Sequence, residues 1–365
     1  MKDLSDSTTS DVDKDIGIFP QPHRLARRSF IRSLGVGAAL LSPMAGILTG
    51  ARRVTAQTSN SLGNPDSGDI AILRFLAAAE LIETDFWQQY TELAVNNPSY
   101  GAALGVIDED MAQYIIDNTD DERSHAAFLN AYLKSVGGTP VNLNKFRTLP
   151  SSQATGAKQI GRLTNLMNLT VDTSFWLRYR SHKNPDFGDT FGQFIKIVNR
   201  PAIPPHDFPM GSDQIQAIAN TATFHFPSIE QGGSSLYSTL GQFVTDRTVL
   251  KIMFGIGGAE VNHFAIWHDK AGNAPPVSVP GVTFPDMEDF NGDSTRQNNL
   301  IMPEPCNFIA ENLPDCSVIR PASKQQSGAV AAVNFLTSSN LFQGQSQAFF
   351  DFITQLAQAA DAATA

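Results

Sequence analysis

The chain has 365 residues, of which 42% are hydrophobic and 17% charged, enough apolar material for a sizeable core and too little charge for a disordered tail. Its net charge of -10, from 26 basic and 36 acidic residues, argues against nucleic acid or an anionic membrane surface as a partner, since both reward clustered Lys and Arg. Two cysteines, Cys306 and Cys316, cannot build a four-thiolate zinc or iron site, so any metal must be held by His and carboxylate.

Residues 1–56 read as a targeting segment. A polar start leads to Ala26-Arg27-Arg28-Ser29-Phe30-Ile31-Arg32 and then to a weakly apolar run from Leu34 to Leu48. This resembles a twin-arginine export signal. The run is broken by Gly35, Gly37, Pro43 and Gly46 and falls short of the roughly 20 apolar residues that span a bilayer. Val54-Thr55-Ala56 suits a signal peptidase, with Gln57 as the mature start. The expectation is export to a periplasmic or extracellular location, with no stable membrane span in the mature form. Such a compartment permits a disulfide between Cys306 and Cys316.

Four helical stripes follow. From Ile70 to about Ala94, Leu73, Leu76, Glu80, Glu83, Trp87, Tyr90 and Ala94 recur at spacings of three and four, which is one helix face. From about Asp108 to Leu133 the same spacing gives Met111, Ile115, Asn118, Glu122, His125, Leu129 and Tyr132. A third stripe runs through Leu169, Asp172, Trp176 and Tyr179, and a fourth through Val249, Met253, Ile256, Glu260, His263 and Trp267. Each seam carries an acid where a core would reject charge. About 20 residues between the second and third stripes fit a long crossover of a four-helix bundle. Residues 181–245, with Pro201, Pro204, Pro205 and Pro209, read as an insertion between the third and fourth helices. After Gly272 the chain is rich in Pro and Asn, and residues 329–360 return to helical character as a tail that docks or makes a homo-oligomer contact. The expected organisation is a signal at 1–56, an all-α bundle at 57–272, and a wrapping segment with helical tail at 273–365.

Glu122-Arg123-Ser124-His125 and Glu260-Val261-Asn262-His263 are two Glu-x-x-His motifs, a spacing that sets both groups on one helix face. With 10 Glu and 7 His in 365 positions, chance gives about 0.2 such pairs, so two on apolar stripes are a strong signal. A pair of iron or manganese ions needs hard oxygen ligands to neutralise and bridge it, plus imidazole. An internal repeat suggests the other ligands. Ile82 to Tyr90 aligns without a gap with Val171 to Tyr179, setting Glu83 against Asp172. Glu83 is therefore the favoured ligand on the first helix, with Glu80 the fallback.

These residues resemble the ferritin-like superfamily, specifically exported bacterial ferritin-like domain proteins related to rubrerythrin and manganese catalase. Ala79-Glu80-Leu81-Ile82-Glu83-Thr84-Asp85-Phe86-Trp87 is similar to that group's Leu-Glu-x-x-Glu-x-x-Phe-Tyr signature, and Asp121 to Leu129 to its Asp-Glu-x-x-His-x-x-Phe-Leu. In that group the helix-one ligand lies seven residues before an aromatic, a rule that Glu80 and Glu83 both meet. The resemblance implies a ferritin-like four-helix bundle holding two iron or two manganese ions and acting on a small oxidant or on metal ions themselves. Asp172 departs from the family's Glu and is the feature favouring an alternative, a ferritin-like scaffold without catalysis that serves as a structural or desiccation-associated binding protein.

Overall fold

A computed structural model describes residues 62–178, 192–287, 303–304, 306, 309–318 and 322–364. The twin-arginine segment and Tyr179 lie outside the described residues. The described chain is mostly helical, and none of its helices is long and apolar enough to cross a membrane.

Helix α1 (Ser67–Asn96) starts at Asp66, whose side chain accepts from the Asp69 backbone while Asp69 reaches back to Asp66, a reciprocal cap. Asn97 ends α1 and caps α2 (Pro98–Ile107), where Pro98 occupies a first-turn position that needs no N–H. Helix α3 (Met111–Ser135) returns along α1. The second pair is α5 (Asp213–Gly241) and α6 (Arg247–Ala271), joined by residues 242–246. Asp246 caps α6, and Asp69 accepts from the backbone of Thr245 and Asp246, which ties the start of α1 to the α5–α6 turn. Trp87, Phe226 and Trp267 stack between the two pairs, with Trp87–Phe226 centroids 4.7 Å and Trp87–Trp267 centroids 5.2 Å apart.

The long connection therefore runs from 136 to 212, between α3 and α5. It carries a short 3-10 turn, strand β1 (Leu169–Val171), the single turn α4 (Phe175–Arg178) and strand β2 (Ile197–Arg200), which pairs antiparallel with β1. Polar residues on α1 pin it down. Buried Arg162 pairs with buried Glu92, and buried Asp85 takes the Arg147 guanidinium and the backbone N–H groups of Leu163 and Thr164. Paired this way, buried charge is tolerated.

Two expectations are corrected here. No third bundle helix runs through Leu169, Asp172 and Trp176, because Leu169 and Val171 alternate as a strand and Asp172 Oδ1 accepts from the Ser174 backbone at 2.9 Å, a local turn that competes with helix. The third bundle helix is α5, inside the stretch 181–245 read as an insertion. Its sequence hides it: Pro227 removes a helical donor, and Gly232 and Gly233 are poor helix formers.

The covering that buries α5 comes partly from beyond the bundle. The hairpin β3 (Val277–Val279)–β4 (Val282–Phe284) lies against it. After the two-residue strands β5 (Pro303–Glu304) and β6 (Cys316–Ser317), helices α7 (Lys324–Ser327), α8 (Ala329–Ser338) and α9 (Gln347–Asp361) close the chain. Helix α9 packs Phe349, Ile353 and Leu356 inward and rests on α1, so the tail docks. Cys306 is buried and Cys316 is exposed, and the two are not joined as the disulfide that an oxidising compartment would permit.

Candidate metal centre

Near the middle of the bundle, six side chains from four helices meet. Glu80 comes from α1, Glu122 and His125 from α3, Glu230 from α5, and Glu260 and His263 from α6. They form two overlapping sets, Glu80–Glu122–His125–Glu260 and Glu122–Glu230–Glu260–His263, in each of which the ligating atoms lie within 4.8 Å of one another. Glu122 and Glu260 belong to both sets. The helical period explains the gathering: in α3 and α6 the three-residue step from Glu to His keeps both groups on the inward face.

Nδ1 of His125 lies 3.0 Å from Glu122, 3.4 Å from Glu80 and 3.6 Å from Glu260. Nδ1 of His263 lies 3.1 Å from Glu122 and 3.3 Å from Glu230. Three carboxylates are gripped by one oxygen. Tyr237 donates to Glu80 Oε1, Asn118 donates to Glu122 Oε1 at 2.7 Å, and Trp87 Nε1 donates to Glu230 Oε1 at 3.1 Å. Asn118 also reaches Glu230 and accepts from Trp267 Nε1 at 2.7 Å. On the far side of its ring, His263 Nε2 stands 3.0 Å from Asp121, which turns Nδ1 toward the cluster as a ligand.

Left over are Glu80 Oε2, Glu230 Oε2, both Glu260 oxygens and His263 Nδ1, all buried without a hydrogen-bond partner. Orphaned buried atoms of this kind are costly. Here they face one another, in a hard-oxygen and imidazole donor set that suits iron or manganese, so the residues fit a two-metal carboxylate centre.

The electrostatics agree. Burial, reinforced by the charge of Glu230, pushes Glu122 up to about 7, and burial with the neighbouring carboxylates holds Glu260 well above the usual range. Burial by itself would lower His125, but the hydrogen bond to Glu122 and the nearby charges of Glu80 and Glu122 outweigh it and push the ring up to about 10. His263 is raised against the pull of burial by the nearby charge of Glu230, its hydrogen bond with Asp121 and the closeness of Glu122. Like charges this close share protons when no cation is there to compensate them.

Glu80, Glu122, His125, Glu260 and His263, all read from the sequence, are brought together. Glu83, the favoured ligand on α1, is absent from both sets and lines an adjoining cavity instead. Asp172 lies outside the cluster, bonded to Ser174 and to Gln193. Its place is taken by Glu230, which the sequence reading missed. A signal for it exists: Glu230 stands seven residues before Tyr237, as Glu80 stands seven before Trp87. The two aromatics cross over, Trp87 bonding Glu230 and Tyr237 bonding Glu80.

Residues 68–273 match the ferritin-like domain family. Comparison with curated proteins and with solved structures gives no match. With four helices that deliver a Glu each from α1 and α5 and a Glu-x-x-His each from α3 and α6, and a family match over more than half of its length, the chain belongs to the ferritin-like domain family.

Proposed function

We propose that the chain binds two iron or two manganese ions and uses them on a small oxidant, in peroxide removal or metal oxidation, after export by the twin-arginine route. The observation that carries this reading is the set of buried, unpartnered atoms of Glu80, Glu230, Glu260 and His263, from three helices, gathered around Glu122 and His125 of the fourth. A bound pair of such ions supplies reversible one-electron change and open coordination positions for the oxidant.

Everything else is the work of the chain's own residues. Glu122 and Glu260 belong to both halves of the cluster. Glu80 with His125 would hold an ion at one end, and Glu230 with His263 would hold one at the other. Tyr237, Trp87 and Asn118 fix the carboxylate rotamers, and Asp121 fixes the His263 tautomer, so the ligands are positioned before binding. Packing of Trp87, Trp267 and Phe226 keeps bulk water out. The scaffold-only alternative rested on Asp172 replacing a Glu, and Glu230 removes that support.

The test is metal content. Purified protein exposed to ferrous or manganous ion without oxygen is expected to take up about two equivalents per chain. Uptake below about half an equivalent of either ion would overturn the reading. Replacing Arg27 and Arg28 by Lys should trap the chain in the cytoplasm, and unimpeded export of that variant would refute the proposed route.

A further inference from the structure

Helix α6 turns one face outward along its whole length. Arg247, Lys251, Phe254, Gly258, Asn262 and Asp269 are all exposed and recur at steps of three, four and seven, so they lie in one stripe. Phe254, 73% exposed, is the barest large apolar side chain among the described residues. Beside the stripe, between α6 and α5, runs a groove of about 510 Å³ whose lining includes Tyr237, Leu250, Met253 and Val261 and not one charged side chain. In a chain of net charge -10, two copies repel one another in general, and an uncharged face is where they can meet.

Two neighbouring glycines of α6 differ in a way that points outward. Gly257 is explained within the fold, because a Cβ there would strike Tyr237. At Gly258 a Cβ would meet no atom within 4 Å. Glycine weakens a helix interior, and at this exposed position the chain's own packing does not call for it. Close approach of a second helix does.

We propose that this face of α5 and α6 is a two-fold interface with a second copy of the chain, the two α6 helices meeting antiparallel at Gly258. Arg247 stands eleven residues before Gly258 and Asp269 eleven after it, so the two-fold axis sets each Arg247 against the partner's Asp269. The stripe has a basic end, with Arg247 and Lys251, and an acidic end, with Asp269; antiparallel pairing joins unlike ends, whereas parallel pairing would join like ends. Phe254, four residues before the axis, comes beside the partner's Gly258 and enters the partner's groove. Knob and hole share one surface, as an isologous contact requires. The second copy also covers the outer side of Tyr237, whose hydroxyl bonds Glu80 of the cluster.

Sedimentation equilibrium of the purified chain is expected to show monomers and dimers exchanging with a Kd on the order of 10 μM, as suits an interface below the standard size. A chain that stays monomeric about tenfold above that concentration overturns the proposal, and uptake of an apolar fluorescent probe by such a monomer would assign the groove to a small apolar ligand instead. Phe254→Glu should weaken association about 100-fold or more and leave the melting temperature and metal uptake unchanged, since Phe254 is exposed and away from every ligand. Undiminished dimerisation of this variant overturns the proposal. Arg247→Glu places an acid at a helix N-terminus and Asp269→Arg a base at the C-terminus, both compatible with the helix. Each alone should weaken association about tenfold, and the two together should restore it; a double variant no better than the singles overturns the antiparallel pairing. In a Cys316→Ser background, Gly258→Cys should cross-link with itself on mild oxidation, because position 258 lies on the axis, and Asn262→Cys should not. Cross-linking at 262 rather than 258 overturns the proposal.

Discussion

The two halves of the cluster use the same ligands in unequal surroundings. Each end has one Glu and one His, and the aromatic seven residues after each Glu bonds the other Glu. Beyond that layer the two-fold likeness fails. On α3, Asp121 precedes Glu122 and braces His263. The corresponding residue before Glu260 on α6 is Ala259, which has no group to brace His125. Asn118, four residues before Glu122, bonds Glu122 and Glu230, whereas four residues before Glu260 stands Ile256. The Glu230–His263 end is therefore rigidly supported, and the Glu80–His125 end is looser and more open, with His125 12% exposed against 4% for His263. A near-symmetric ligand set thus rests on an asymmetric support.

The largest effect is expected where the halves join. Glu122 and Glu260 serve both sets, so Glu260→Gln should take metal content from about two equivalents to below one, because a neutral amide neither bridges nor neutralises two cations. Loss of a terminal ligand should cost one ion: His125→Ala is expected to keep the ion at the Glu230–His263 end. Elemental analysis of the two variants separates these cases, and retention of both ions by Glu260→Gln would break the shared-ligand picture.

Next in size is the pH response of the metal-free protein. Glu122 rises from 4.5 to about 7 on folding, burial holds Glu260 well above the usual carboxylate range, and His125 rises from 6.5 to about 10. Every one of these groups binds its proton more tightly folded than unfolded, so the folded state holds more protons and stability falls as pH rises. The carboxylate part is lost between pH 4.5 and about 7, and the imidazole part between 6.5 and about 10. Bound cations replace those protons, so the loaded protein should not follow this decline. Thermal melts of both forms from pH 5 to 9 decide the matter. A melting temperature of the metal-free form that climbs over this range contradicts a buried, proton-sharing cluster.

A smaller effect isolates the asymmetry itself. Asp121→Asn leaves all six ligands in place but weakens the hold on the His263 ring. Loss of a carboxylate behind a ligating imidazole typically costs about 10–100-fold in affinity. Competition titration with a chelator should show that loss at one of the two ions alone. Equal weakening of both would mean that Asp121 acts on the whole cluster.

How much was legible in the sequence follows from where each signal lies. Stripes on α1, α3 and α6 mix apolar and ligand residues at helical spacing, because those helices keep one outer face for solvent. Helix α5 is buried along almost its whole length and carries Pro227 and the Gly232-Gly233 pair within it, residues that read as helix breakers in a sequence. Gly233 allows close packing: a side chain there would strike Glu260. The same requirement that builds the site thus removed the pattern that would have announced it. The choice between Glu80 and Glu83 is also tertiary, since each lies seven residues before an aromatic on one stripe, and the partner helices decide which enters the cluster and which faces the cavity.

Asp172 offers the smallest effect and the cleanest contrast with Glu230. Both were candidates for one role, the carboxylate on the third bundle helix. Asp172 stands just after β1, where Oδ1 accepts from the Ser174 backbone at 2.9 Å and from Gln193 at 2.8 Å. Removing it in Asp172→Ala should cost about 1 kcal/mol, the usual worth of a lost turn hydrogen bond at a partly exposed position, and leave metal content unchanged. Glu230→Ala should lower metal content while the β1–β2 hairpin stays intact. Denaturant melts and elemental analysis on the same two preparations measure both quantities. If Asp172→Ala loses metal and Glu230→Ala does not, the third helix of the bundle has been assigned to the wrong stretch of chain.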